Sequence, residues 1–272
     1  MEYSKKNTDK IKKIILDFIG NETKKLTPVD VSKYIKSNNQ TTTKQVKNCI
    51  KELISSGELE YSNDFGRSFL GISYSKPVKI SERILLTPPQ IKFKNSEKDV
   101  YVVIEKGISF GRGTHPTTRL SLQAIDFILK DKQLFEKPTE ALDIGTGSGV
   151  LVIAGVLLGV TTAHACDIDN ISLNEAKNNI LKNKLSNKIT VDKTFDLNKT
   201  YNFIFANLRF PTLIDLYDTF VRITKSDSFL FLSGIKIEEK EKIENKFIGT
   251  KFDKIWEKSE SGWIAFVFKR KS

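Results

Sequence analysis

Apolar residues first recur at helical spacing near the start of the chain, where Ile11, Ile14, Ile15, Phe18 and Ile19 share one face. A second helix follows in LTPVDVSKYIKS, with Thr27 as its N-cap and Pro28 at its first position. A third begins at Thr42 or Thr43 and ends at Gly57. It buries Val46, Ile50, Leu53 and Ile54 and shows Lys44, Lys47, Asn48 and Lys51 on its other faces. The period then changes: ELEYSNDFGRSFLGISY reads as a hairpin turning at Asn63, Asp64 and Gly66. Pro77, Pro88 and Pro89 break helix and favour extended chain, so residues 77–99 are expected to form a connector. Beyond it come a strand in VYVVIEKG, an amphipathic helix in PTTRLSLQAIDFIL and, from Ala141 onward, short apolar strands alternating with helices. That alternation predicts an α/β fold, a doubly wound sheet of about seven strands with helices on both faces. Its last strand, GWIAFVFK, is expected as an antiparallel edge partner. The chain is thus expected to divide into residues 1–76, the connector, and a larger domain over 100–272.

Composition adds limits. Hydrophobic residues make up 39% of the 272, enough for a substantial core. Cys49 and Cys166 each sit in an apolar-periodic segment, which argues against a disulfide framework or a metal site. The opening MEYSKKNTDKIKK lacks the apolar region of a signal peptide, and no run is apolar enough for a membrane helix. The reading is a soluble, cytoplasmic chain without a membrane partner. A net charge of +11 favours phosphate or acidic surfaces, or is surface lysine alone. Over residues 1–79 there are fifteen basic residues against nine acidic ones. Three helices followed by a hairpin resemble a winged helix, an α+β module in which Lys44, Lys47, Lys51 and Arg67 would contact nucleic-acid phosphates. The same module also fits protein docking, with its charged face merely solvated.

The densest chemistry lies in ALDIGTGSGVLVIAGVLLG, where Gly145, Gly147 and Gly149 stand between an apolar strand and a buried helix. Glycine there permits positive φ and close approach of a ligand to the main chain. A dinucleotide fingerprint needs a sixth-position glycine, and Val150 occupies that place. Asp143, just before the turn, suits a cationic ligand and repels a pyrophosphate. The next strand, TAHACDID, ends in Asp167 and Asp169, where an acid accepts hydrogen bonds from ribose hydroxyls. An adenosine ligand without phosphate fits, and S-adenosylmethionine is one. D-x-G-x-G-x-G with this second acid resembles class I methyltransferases, whose sheet is Rossmann-like. Asp143, Gly145, Gly147 and Asp167 are the cofactor-binding candidates from this part.

A closer resemblance flanks the turn. GISFGRGTHPTTRLSLQAI is similar to the FGTGTHPTT segment of the PrmA family, bacterial enzymes that methylate amino groups of a protein in the large ribosomal subunit. FIFANLRFPTL resembles that family's ANIL strand end, FLFLSGI its following strand and SERILLTPPQ its lead-in, so the likeness covers roughly residues 80–270. It implies that Thr118, Gly145, Asp167 and Asn207 contact the cofactor, with Asn207 also orienting the acceptor amine as the catalytic residue. It further implies a protein substrate, ribosomal or other. His115 stands as a general base or as a residue ordering the loop, and His164 as packing. Arg112 departs from that family segment, the Pro-Pro that often follows such an Asn is absent, and the helical module replaces the family's small α/β substrate domain. Two other functions stay open: a nucleic-acid methyltransferase guided by the amino-terminal module, and a non-catalytic cofactor-binding regulator.

Overall fold

The computed structural model describes residues 2–22, 25–39, 41–64, 67–73, 76–91, 98–105, 115–249 and 251–272, and Gly66 and Arg112 lie outside them. The chain divides into two compact units, Met1–Pro77 and Val78–Ser272.

The first unit is built from α1 (Glu2–Asn21), α2 (Pro28–Asn38), α3 (Thr43–Ser55), β1 (Leu59–Asp64) and β2 (Arg67–Ile72). Both later helices start on reciprocal caps. Thr27 Oγ1 accepts from Asp30 N while Asp30 accepts from Thr27 N, and Thr42 and Gln45 repeat the arrangement. The helical stripe buries Ile11, Ile15 and Ile19 against Ile35, Val46, Ile50 and Leu53, joined by Leu59 and Leu70 of the hairpin. Asn63 and Asp64, expected in the turn, belong to β1, with Asp64 opposite Arg67. Leu26, between α1 and α2, pairs with Leu70, whose N–H donates to its carbonyl at 2.7 Å. That bridge ties the first inter-helix segment to the hairpin.

The second unit opens with β3 (Val78–Lys79), β4 (Ile84–Thr87) and β5 (Val100–Val103), β4 pairing antiparallel to β3 and parallel to β5. Residues 77–99, expected as a connector, therefore contain sheet. Ile80, Ile84 and Leu86 are buried in the main core, a long-range packing that local proline content does not reveal. Then follow α4 (Pro116–Ile128), β6 (Glu140–Ile144), α5 (Val150–Leu157), β7 (Thr162–Cys166), α6 (Asn170–Lys182), β8 (Ile189–Asp192) and β9 (Tyr201–Asn207). The unit closes with α7 (Phe210–Asp215), α8 (Tyr217–Ile223), β10 (Thr224–Lys236), α9 (Lys240–Phe247), β11 (Phe252–Glu260) and β12 (Trp263–Arg270).

The seven-stranded sheet runs in the order β11-β12-β10-β9-β6-β7-β8. Strands β6 to β10 are mutually parallel, and β12 is antiparallel to both its neighbours. GWIAFVFK was expected at the edge; it instead sits between β10 and β11, and β11 is the edge strand. Its residues Ile264 to Phe268 are buried, as a strand covered on both sides requires. Along β9 the pleat sends Phe203 and Phe205 into one core and Ile204 and Ala206 into the other. The chain leaves β6 toward β7 and β8, then returns to β9 on the other side of β6. This reversal opens a crevice at the carboxyl ends of β6 and β9.

An ion pair holds Arg83, just before β4, to α4. Asp126, 2% exposed, accepts from Arg83 Nε at 2.6 Å and Arg83 N at 3.1 Å, and its carbonyl accepts from Arg83 Nη2 at 2.8 Å. Burial opposes ionisation, yet hydrogen bonds from Ser81 and Arg83 hold the Asp126 carboxyl below the usual range. Its stabilisation is full above the unfolded-state value and is lost as pH falls through the depressed one. Asp126→Ala is expected to cost about 2–3 kcal/mol in urea unfolding at neutral pH, with the difference from the native protein shrinking in acid. A constant difference across pH would remove the ion pair from this account.

Candidate functional site

The turn after β6 explains its glycines. Gly145, Gly147 and Gly149 have φ of 71°, 55° and 81°, a region in which side chains are strained. A Cβ on Gly145 would lie 2.4 Å from Leu208 Cδ2, and one on Gly149 would lie 3.3 Å from Ala176 Cα of α6. The turn is thus gripped between the segment after β9 and the helix after β7. Gly145 N and Thr146 N both donate to Cys166 O, at 2.9 and 3.0 Å, which docks the turn on β7.

The crevice holds a cavity of about 700 Å³, on which Gly145, Gly147, Asp167 and Asn207 meet. That size suits a cofactor-sized ligand. Asp167 accepts from Gly147 N through Oδ2 at 2.9 Å and from Asp169 N through Oδ1 at 3.0 Å. Asp169 is used differently: its carboxylate accepts from Ile171 N and Ser172 N at 3.2 Å and caps α6. Asn207 ends β9 in register with Ser233 of β10, and its side-chain amide has no hydrogen bond among the described residues. Ile168, 92% exposed, shares the walls with Phe195, Leu216 and Trp263.

Thr118 and Asp143 are not among the residues lining this cavity. Thr118 is fully buried at the start of α4, with Oγ1 lacking a partner, and Thr117 lines the wall instead. Asp143 is buried under the turn, where Oδ2 accepts from Thr146 Oγ1 at 2.7 Å and Oδ1 has no partner. Burial, with a smaller contribution from the Asp167 charge, pushes its carboxyl up to about 7. The raised value means that folding favours the neutral acid. The associated stability is full below the unfolded-state value and is lost as pH rises toward 7. Asp143→Asn is expected to flatten the fall in stability between about pH 4 and 7, measured by urea midpoints across that range. Parallel curves for variant and native protein would show that Asp143 does not titrate there.

His115 is the N-cap of α4. Its Nδ1 lies 2.8 Å from Thr117 Oγ1 and accepts from Thr117 N at 3.3 Å, and its ring meets Trp263 edge-on at 5.0 Å. Burial, reinforced by Arg119, lowers its pKa and favours the neutral ring. Nδ1 is engaged by the cap of α4, which fits the loop-ordering reading. His164 is half-buried in β7, with Nε2 3.4 Å from Asp192 Oδ2. Cys166, though on the cavity wall, is an inert thiol that burial pushes up to about 12. Among the described residues, no three His, Cys, Asp or Glu side chains gather as a metal site, and no helix is long and apolar enough to cross a membrane.

The family model for ribosomal protein L11 methyltransferase (PrmA) matches residues 4–271. The chain belongs to the PrmA family of methyltransferases. The PrmA match begins well before residue 80, where the motif resemblance starts, and so takes in the amino-terminal unit. A ribosomal protein L11 methyltransferase of Anoxybacillus flavithermus is 29% identical over 246 residues, 84% of this chain and 75% of that protein. That of Listeria welshimeri is 33% identical over 204 residues, 72% of this chain and 62% of its own length. The crystal structure of the ribosomal protein L11 methylase of Lactobacillus delbrueckii subsp. bulgaricus aligns with a TM-score of 0.63 at 25% identity, covering 72% of this chain and all of that one.

Sequence reading missed several members of the site. Leu208 is wedged against both Gly145 and Gly234, Trp263 arrives from the last strand, and Lys193 and Arg209 bring cations to the wall. Leu208 and Arg209 lie within the PrmA-like FIFANLRFPTL segment without a role assigned to them there, and Lys193 and Trp263 lie outside the glycine turn and the ANL motif.

Proposed function

We propose that this chain transfers methyl groups from S-adenosylmethionine to amino groups of ribosomal protein L11. The observation that carries this reading is the Asn207 amide, without a hydrogen bond, on the same cavity as Asp167 and the glycine turn. When bound, the cofactor supplies an electrophilic methyl group on a sulfonium. The residues present fit such a ligand. Gly145 and Gly147 leave the main chain open, Asp167 offers carboxylate oxygens to ribose hydroxyls, and Ile168, Phe195 and Leu216 give an apolar slot for a base. Asp143 acts from beneath the turn, where a cationic ligand favours its charged form. Thr118 Oγ1, buried and unpartnered, is the hydroxyl nearest in sequence to the wall residue Thr117.

Asn207 accepts a hydrogen bond from the acceptor amine through its side-chain oxygen and aims the nitrogen lone pair into the cavity. The amine must arrive neutral, and the proton it sheds after transfer leaves to water. Alignment supplies the acceleration, with no covalent enzyme intermediate. The names of the relatives favour a protein acceptor over nucleic acid as the methylated group. Purified L11 incubated with the chain and labelled cofactor is expected to gain mass in methylene steps on lysine or the amino terminus. Asn207→Ala is expected to slow single-turnover transfer about 100-fold while leaving S-adenosylhomocysteine affinity within about threefold. Unmodified L11 would overturn the acceptor, and an unslowed variant the role of Asn207.

A further inference from the structure

The amino-terminal unit presents charge that its own fold does not neutralise. On α3, Lys44, Lys47 and Lys51 are exposed, while Val46, Cys49, Ile50 and Leu53 bury the opposite face. Spacings of three and four residues place the three lysines within about 60° of one another, over roughly 10 Å of helix axis. None has a hydrogen bond or ion pair among the described residues. The single acid of α3, Glu52, is taken by Lys12 of α1 at 2.8 Å. In the second unit Lys79, Lys130, Lys182, Lys199, Lys240 and Lys254 have carboxylate partners, whereas Lys132, Lys177 and Lys188 are exposed without one among the described residues, so the α3 stripe stands out by its alignment on one helix face.

We propose that the lysine stripe of α3 is a docking surface for the phosphate backbone of double-stranded RNA. Each strand of a nucleic-acid duplex offers an unbroken row of anions, at about 3.4 Å of axial rise per nucleotide in B-DNA and somewhat less in an A-form RNA duplex, so about three phosphates match the stripe's length. Carboxylates on a folded surface come interspersed with cations, as those of the second unit do, and match it poorly. The charge argument is independent of the methyl-transfer reading. The choice of RNA over DNA rests on that reading, because a ribosomal acceptor works in contact with RNA. The stripe then supplies affinity and orientation without reading sequence.

The test is fluorescence anisotropy of the full chain with a labelled RNA duplex, a DNA duplex of the same sequence, and poly-glutamate as competitor. RNA binding is expected to fall with salt at a log–log slope of about −2.7, close to 40-fold between 50 and 200 mM. Lys44→Glu with Lys47→Glu and Lys51→Glu is expected to abolish it, with circular dichroism and S-adenosylhomocysteine affinity unchanged. Should the triple variant misfold, Lys47→Gln alone is expected to reduce the slope by about 0.9. Absence of salt-dependent RNA binding, or binding indifferent to these changes, would overturn the proposal. Competition by poly-glutamate at equal charge would reassign the stripe to acidic protein, and equal affinity for the DNA duplex would overturn the choice of RNA. L11 methylation, measured separately, distinguishes the two readings: transfer without RNA binding defeats only this one.

Discussion

Gly234→Ala is expected to destabilise the second unit by about 3–5 kcal/mol and to lower methyl-transfer kcat/KM at least 100-fold in whatever folds. Gly234 lies in β10 at φ 85°, and a Cβ there would stand 2.1 Å from the Leu208 carbonyl oxygen and 2.7 Å from its carbon. Backbone cannot rotate aside as a side-chain tip can, so the segment after β9 must move. That segment is tethered by Leu208 N donating to Ser233 O at 3.1 Å, and it follows directly on Asn207, the last residue of β9. The displacement therefore reaches the group proposed to aim the acceptor. Gly249→Ala is the control, because Gly249 has a comparable φ of 77° with nothing within 4 Å of its added Cβ. It should show only the conformational cost, about 1 kcal/mol, and full activity. Equal urea midpoints for the two variants would show that the contact with Leu208 is soft.

Much of this site was legible because its signals are local. Pro28 and Thr27 announce a helix start within two residues, and Gly145, Gly147 and Gly149 announce their turn through a conformation that glycine adopts at low cost. The alternation of apolar strands with helices carried the sheet and its parallel sense. What the sequence hid depends on partners far along the chain. Leu208 is wedged against Gly145 and Gly234, and only the register of β6, β9 and β10 brings the three together. The antiparallel last strand inserts between β10 and β11 instead of adding at the edge, which carries Trp263 to the cavity and against His115. Residues 77–99 looked like linker because three prolines and a short apolar run give no clue that β4 will pair with β5. Between neighbours such as Thr117 and Thr118, or Asp167 and Asp169, the motif narrows the choice to a pair, and helix phase or capping geometry decides which one lines the cavity.

Asp167→Ala is expected to weaken S-adenosylhomocysteine binding about 10- to 100-fold by isothermal titration, the cost of a charge-assisted acceptor worth 1–3 kcal/mol. The carboxylate has two duties. It offers oxygens to the cavity, and it accepts from Gly147 N at 2.9 Å and Asp169 N at 3.0 Å, so it holds the glycine turn to the start of the cap of α6. Truncation removes both at once. Asp167→Asn separates them, because its amide keeps one accepting oxygen and turns a donor toward the other main-chain N–H. If the ligand acceptor role dominates, the Asn variant should keep part of the affinity that Ala loses. If preorganisation of the turn dominates, Asn and Ala should lose affinity equally, since either leaves a backbone donor without its partner. Asp169→Ala completes the set: its loss removes the N-cap of α6, lowering stability by about 1 kcal/mol with little effect on affinity. Native-like binding by Asp167→Ala would exclude this carboxylate from the cofactor site and leave the glycine turn without an acidic partner.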